Sequence, residues 1–285
     1  MPTPDASRAG TFAIGGDMRV NRLGFGAMRV TGAGIWGPPA DPDEARRTLR
    51  RLPELNIDFV DTAEAYGPYV SEDLIAEVLA PYGKLHIATK GGHTRQGPNR
   101  WAQVGRPEFL MQGVKTSLLR LKLDRLDLWQ LHRIDPKVPA AEQFGTIAEM
   151  QKQGLIRHAG LSEVGVEEIK AAQKFFPVVS VQNKYSISDR NSDAVLSYCE
   201  ANGIGFIPWR PIDGGSTNAA DPKFQALLKK YGATPGQLSL AWLLKRSPVM
   251  LPIPGTGKVA HLEENIAAAA ITLSDEDFAT LSSLR

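Results

Sequence analysis

Ile57-Asp58-Phe59-Val60-Asp61-Thr62-Ala63-Glu64-Ala65-Tyr66-Gly67 starts as a short apolar run and ends among ionisable side chains. The first half reads as a buried strand, too short for a helix and without the polar alternation of a half-exposed sheet. The second half sets a carboxylate, Asp61, and a phenol, Tyr66, at and just past the strand's carboxyl end. The same pattern recurs twice downstream. Leu85-His86-Ile87-Ala88-Thr89-Lys90-Gly91-Gly92 carries an ammonium to its end, and Leu126-Asp127-Leu128-Trp129-Gln130-Leu131-His132 carries an imidazole. Three consecutive strands that deliver reactive groups to the same end describe an α/β barrel, whose chemistry lies at the carboxyl ends of its strands.

Eight such runs alternate with amphipathic stretches along the chain. Strands are expected near Leu23–Met28, Ile57–Thr62, Leu85–Lys90, Leu126–His132, Arg157–Ser162, Val178–Gln182, Ile204–Trp209 and Val249–Ile253. Between them Leu74, Ile75, Val78 and Leu79 share a helical face, as do Leu110, Val114, Leu118 and Leu121. Gly83, Gly154 and Gly203 act as stop signals. This alternation over 285 residues fits one α/β domain, 1–285, folded as a single (β/α)8 TIM barrel. An N-terminal β-hairpin is expected ahead of it, with Thr11–Ile14 and Met18–Val20 flanking Gly15-Gly16-Asp17. An extra C-terminal helix starts at Ser274.

A doubly wound sheet is the competing architecture, and it needs a glycine-rich phosphate turn after its first strand. Gly24-Phe25-Gly26-Ala27-Met28-Arg29 lacks the third glycine, and Pro38-Pro39 intervenes before any helix. These glycines read better as close strand packing. The long non-periodic stretches are Val30–Asp41, Gly91–Arg106 and Ile212–Asp221. Each follows a strand, so each is expected on the face where barrels place substrate selectivity.

Composition narrows the function classes. A formal net charge of +2, with both signs interspersed, makes no case for nucleic acid or a membrane surface as a partner. The single cysteine, Cys199, excludes an intrachain disulfide and a cysteine-based metal cluster. No stretch approaches the roughly 20 apolar residues of a membrane span, and the polar N-terminal segment lacks a signal-peptide core. A cytoplasmic setting is the expectation. His86, His93, His132, His158 and His261 show no metal-ligand spacing, so no metal is expected, and no Gly-x-Ser-x-Gly nucleophile turn occurs.

The strand-end set of Asp61, Tyr66, Lys90 and His132 suits proton donation to a carbonyl that is accepting hydride. A free tyrosine titrates near 10, and a cation held against it stabilises the phenolate and lowers that value. Lys90 can supply the cation, Asp61 can fix the ammonium, and His132 can donate a hydrogen bond to the substrate oxygen.

The sequence closely resembles the aldo-keto reductase superfamily, from Leu23-Gly24-Phe25-Gly26 to Glu263-Glu264-Asn265. Asp61-Thr62-Ala63-Glu64-Ala65-Tyr66-Gly67, Thr89-Lys90-Gly91 and Gly160-Leu161-Ser162 carry the resemblance most specifically. It implies a (β/α)8 barrel that uses NADPH without a Rossmann domain or metal. Tyr66 would be the general acid, Lys90 and Asp61 would lower its pKa, and His132 would orient the carbonyl.

The same resemblance implies a cofactor site. Ser162 and Gln182 would bind the nicotinamide carboxamide, with Glu163 where the family usually has Asn, which replaces a donor by an acceptor. Trp209 in Ile207-Pro208-Trp209-Arg210-Pro211 would stack on the ring, with Arg210 and Pro211 beside it. Ile253-Pro254-Gly255-Thr256-Gly257-Lys258 leads into a helix carrying His261, Glu264 and Asn265 on one face. Its free N–H groups would seat phosphate. Many relatives have Lys at the Gly255 position and Arg at the His261 position, so Lys258 or Arg210 would compensate here and favour NADPH over NADH.

The expected function is therefore NADPH-dependent reduction of small-molecule aldehydes or ketones to alcohols. The short segment after Ser274 suggests an open pocket, with substrate contacts from Val30–Asp41 and Gly91–Arg106. The alternative is a cofactor-binding regulatory subunit of the same fold without significant turnover. A monomer or weak homo-oligomer is expected.

Overall fold

The computed structural model describes residues 3–212 and 221–284. Strands β1 (Thr11–Ile14) and β2 (Met18–Asn21) form the expected antiparallel hairpin. Its turn runs through Gly15 and Gly16, both left-handed at φ 63° and 85°, where a side chain would be strained.

The main sheet is parallel throughout. Its strands are β3 (Phe25–Gly26), β4 (Phe59–Asp61), β5 (His86–Gly91), β8 (Leu126–Leu131), β9 (Ile156–Ser162), β10 (Val178–Gln182) and β11 (Gly205–Phe206), in that spatial order. The eighth expected strand, Val249–Ile253, forms no continuous ladder, because Pro252 has no N–H to give. It still closes the barrel. Phe206 N donates to Val249 O at 2.8 Å, Leu251 N donates to Phe206 O at 2.8 Å, and Gly24 N donates to Pro252 O at 3.0 Å. The seam is tight: a Cβ on Gly26 would sit 2.6 Å from Ile253 O, which is the close packing expected of these glycines.

Gly91–Arg106 differs from the irregular loop expected there. It folds back as a second antiparallel hairpin, β6 (His93–Gly97) with β7 (Arg100–Gln103). Most of the expected loop Ile212–Asp221 lies outside the described residues.

Helices α1 (Pro42–Arg50), α2 (Val70–Leu79), α3 (Pro107–Leu121), α4 (Ala140–Lys152), α5 (Val166–Ala172) and α6 (Asp193–Asn202) cover the sheet. After β11 come α7 (Pro222–Tyr231), α8 (Pro235–Arg246), α9 (Val259–Ala267) and the extra helix α10 (Asp275–Ser283). Their ends follow local chemistry. Asp41 accepts Glu44 N ahead of Pro42, Thr234 and Gln237 form a capping box around Pro235, and Gly203 ends α6 at φ 64°. No described helix is long and apolar enough to cross a membrane.

Two apolar clusters follow from this layering. The larger joins the outer face of the sheet to the helices. The smaller fills the barrel, where Ile14, Met18 and Val20 of the hairpin meet Phe59, Ala88, Leu128, Ile207 and Leu251. The hairpin thus plugs the amino end, and Asp17 fastens it there by an ion pair to Arg157 at 2.5 Å and a hydrogen bond with His158 at 2.6 Å. The carboxyl end is left open for the site.

Candidate active site

Parallel pairing places the ends of β4, β5, β8, β9 and β10 on one rim. Asp61 ends β4, and Tyr66 follows in a turn held by Tyr66 N to Ala63 O at 3.0 Å. Lys90 is fully buried in β5. Its ammonium donates to Asp61 Oδ1 at 2.6 Å, to Thr62 O at 2.8 Å and to Tyr66 Oη at 3.3 Å. Asp61 Oδ2 accepts from Gln182 Nε2 at 2.9 Å and Gln130 Nε2 at 3.2 Å. Both oxygens of this buried carboxylate are thereby satisfied. His132 stands just beyond β8, fixed by His132 N to Gly91 O at 2.9 Å, with its ring edge-on to Tyr66 at 5.9 Å.

Burial changes the expected acidity. It pushes the Tyr66 phenol above its ordinary value of 10; Lys90 pulls the other way and Asp61 adds to the rise. Attraction to Lys90 therefore does not lower the phenol overall, as charge alone suggests, and Tyr66 keeps its proton at neutral pH. Burial alone would lower Lys90, but Asp61 and Tyr66 more than offset it and the ammonium is held above its ordinary value. His132 is pushed well below the ordinary histidine range, first by burial and then by His93 and the neighbouring cations. His93 is lowered to about 4, again chiefly by burial.

Both imidazoles are thus neutral at pH 7, with one N–H each. The Nδ1 of each is buried without a partner. An unpaired buried donor is rarer than an unpaired acceptor, so the proton of His132 is assigned to Nε2.

Asp61, Tyr66 and His132 open into a cavity of about 1050 Å³, with Lys90 buried behind them. Tyr66, His93, Trp101 and His132 make one wall, with neighbouring rings edge-to-face at 4.4 to 6.4 Å. Arg95 stacks on Trp101 at 3.6 Å and donates to Gly34 O, Ile35 O and Ala65 O at 2.6 to 2.9 Å. It therefore ties the 30–41 loop to the β6–β7 hairpin, and Ile35, His93 and Trp101 all line the cavity. His93, Arg95 and Trp101 fall within Gly91–Arg106, the stretch expected from sequence to contact substrate. The signal for His93 was its place two residues past the end of β5.

Ser162 ends β9 and Gln182 ends β10, and both line the cavity with Trp209, Arg210 and Pro211. Ser162 Oγ donates to Gln182 O at 2.9 Å and accepts from Arg133 Nη1 at 2.9 Å. Glu163, left-handed at φ 56°, does not line the cavity. Its Oε1 instead accepts from Lys184 N at 2.6 Å and from Trp209 Nε1 at 2.5 Å, so it holds the indole. Arg133 and Gln130 are further site residues absent from the sequence reading. Only their neighbours in sequence, His132 and Leu131, marked the strand end.

The turn after Ile253 departs from the free phosphate seat expected of it. Gly255 lines the cavity, and a Cβ there would meet Gly26 O at 2.6 Å, which explains the lack of a lysine. Thr256 Oγ1 accepts Lys258 N at 3.1 Å, and Glu44 Oε1 accepts Val259 N at 2.9 Å, so two of the amides already have partners. Thr256, Lys258, His261, Glu264 and Asn265 lie outside the cavity wall. Thr256 and Asn265 are buried, Lys258 and His261 are exposed, and Glu264 accepts from Thr234 Oγ1 at 2.7 Å. No three metal-ligating side chains converge among the described residues.

Comparison with known proteins agrees with this geometry. The profile described as the Aldo/keto reductase family matches residues 22–285. The chain is 57% identical over 277 residues to the uncharacterized oxidoreductase C215.11c of Schizosaccharomyces pombe, covering 97% of this chain and 90% of that one. It is 40% identical over 281 residues to the pyridoxine 4-dehydrogenase of Escherichia coli K12, covering 96% and 98%. Among solved structures it is similar to the thermostable aldo-keto reductase Tm1743 in complex with the inhibitor epalrestat. That match has 30% identity, a TM-score of 0.82 and coverage of 94% and 96%.

Proposed function

The chain belongs to the aldo/keto reductase family and is an oxidoreductase; from that premise we propose that it reduces aldehydes and ketones with NADPH, with pyridoxal and pyridoxine as its carbonyl and alcohol. The observation that carries this reading is the buried Asp61–Lys90–Tyr66 chain opening into the 1050 Å³ cavity. The substrate follows from the Escherichia coli relative's name and from the wall of four aromatic rings, which suits a planar heteroaromatic aldehyde.

The cavity is at the upper end of the size range for small-molecule sites, and Arg29, Lys137 and Arg210 give it cations for a polyanion. Ser162 and Gln182 offer oxygen atoms to a carboxamide, and Trp209 offers a ring face. When bound, the reduced nicotinamide supplies hydride to the carbonyl carbon. Tyr66 Oη then protonates the carbonyl oxygen, while His132 Nε2–H holds that oxygen in place. The Lys90 ammonium stabilises the phenolate left behind, and Asp61 keeps the ammonium in position.

Lys258 at the start of α9 and Arg29 beside Gly255 and Gly257 favour NADPH over NADH through the 2′-phosphate. Equal dissociation constants for the two dinucleotides would defeat that preference. For the chemistry, Tyr66→Phe is expected to bind NADPH within a few-fold of wild type, while single-turnover NADPH oxidation by pyridoxal slows by roughly 10²-fold or more. Undiminished turnover in this variant removes Tyr66 as the acid. Cofactor binding without turnover of any carbonyl by the wild-type protein would support the regulatory-subunit reading instead.

A further inference from the structure

Hydrogen-bond accounting at the nicotinamide seat leaves a gap. A carboxamide has two N–H donors and a carbonyl oxygen that needs a donor of its own. Ser162 has already given its proton to Gln182 O, so its hydroxyl can only accept from a ligand. Gln182 has turned its Nε2 to Asp61 Oδ2, so its Oε1 faces a ligand as an acceptor too. Glu163 is an acceptor by nature, and its Oε1 is engaged by Lys184 N and Trp209 Nε1. The seat as built takes up the amide N–H groups and offers nothing from these three residues to the amide oxygen.

Arg133 stands beside Ser162 on the cavity wall. Its Nη1 donates to Ser162 Oγ and to His132 O, which anchors the guanidinium between the nicotinamide seat and the proton-donating group. Among the described residues no carboxylate forms an ion pair with it, Glu163 acting only at longer range, and only its Nη1 makes hydrogen bonds to them, although the side chain lines the cavity. Burial lowers the pKa of this arginine, the cost of holding an unpaired guanidinium away from water, yet it remains charged at any physiological pH.

We propose that Arg133 is a cofactor-binding residue, donating through its free N–H groups to the carboxamide oxygen of the nicotinamide and so fixing which face of the ring meets the substrate. The assignment rests on the cofactor reading above. It makes the seat complementary as a set: Ser162 and Gln182 accept from the amide nitrogen, Arg133 donates to the amide oxygen, and Glu163 is freed to orient Trp209.

Three ligands separate this role from others: NADP+, its 3-acetylpyridine analogue, which keeps the carbonyl but lacks the NH2, and 2′-phospho-ADP-ribose, which lacks the ring. Binding is followed by quenching of tryptophan fluorescence on the full-length protein. Arg133→Leu is expected to weaken NADP+ and the acetylpyridine analogue about tenfold or more, while 2′-phospho-ADP-ribose stays within about twofold. Arg133→Lys, which keeps the charge without the fork, should recover part of the loss and guards against a folding defect in the leucine variant.

Equal weakening of all three ligands in both variants overturns the proposal in favour of a phosphate or scaffold role. Unchanged NADP+ affinity with a raised KM for pyridoxal overturns it in favour of substrate binding. Failure of the wild-type protein to bind NADP+ or 2′-phospho-ADP-ribose overturns the cofactor reading itself, and this assignment with it.

Discussion

At the residue scale the site is governed by competition between burial and charge. Lys90 sits against Tyr66, yet the phenol is pushed up because withdrawing a nascent phenolate from water outweighs one nearby cation. The arrangement suits an acid that must hold its proton until an alkoxide forms. Glu64, whose N–H donates to Lys90 O at 3.1 Å, shows the same competition more sharply. Its carboxyl is buried, accepts one N–H from Gly92 at 3.2 Å and is pushed up to about 7, by burial first and by Glu72 second. Arg120 pulls it down only weakly, being occupied by Glu72 at 2.7 Å, and His93 and Arg95 face it across a cavity of about 200 Å³. A raised carboxyl pKa means that the folded state holds its proton more tightly than the unfolded chain. Stability linked to that proton is complete below the ordinary value of 4.5 and is lost as pH rises through about 7. Glu64→Gln should therefore gain on wild type between pH 4 and pH 9, by on the order of 3 kcal/mol. Parallel thermal melts at the two ends of that range would show it. A difference independent of pH would mean that the carboxyl is not the cause.

At the element scale the β6–β7 hairpin brings His93 and Trp101 to the cavity wall. The sequence from Gly91 to Arg106 has no apolar periodicity, because the hairpin buries few apolar side chains. Arg95 braces it by stacking on Trp101 and by donating to three carbonyls of the two neighbouring loops. Arg95→Ala is expected to raise the KM for an aromatic aldehyde about three- to tenfold, with NADPH affinity nearly unchanged. Steady-state kinetics together with a binding titration tests both halves. An equal loss of cofactor affinity would place the brace on the other side of the cavity. The α9 turn illustrates a different limit of local reading. Its glycines and its helix start are legible in the sequence, but the carboxylate that takes Val259 N comes from Glu44, more than two hundred residues away.

At the scale of the whole molecule, a small apolar cluster inside the barrel holds the rim in register. Leu128 is fully buried there among residues of the N-terminal hairpin and of facing strands. Leu128→Ala should destabilise the fold by about 2–5 kcal/mol in denaturant titrations, through lost burial and the cavity left behind. A cost below about 1 kcal/mol would mean that the plug does not pack as described. What the sequence determined by itself was local: buried strands from apolar runs, a helix start at Ser274, stops from glycine, and hence the barrel with its ionisable strand ends. These follow from periodicity and turn chemistry, which act over a few residues. Closure through a proline-interrupted segment, the direction of the Tyr66 shift and the loss of free amides at α9 were decided only by the tertiary structure. So were the pairing of Gln182 with Asp61 and the placing of Arg133 against Ser162. Each depends on which distant donor meets which acceptor and on how much water is excluded, and neither is written in the spacing of neighbours along the chain.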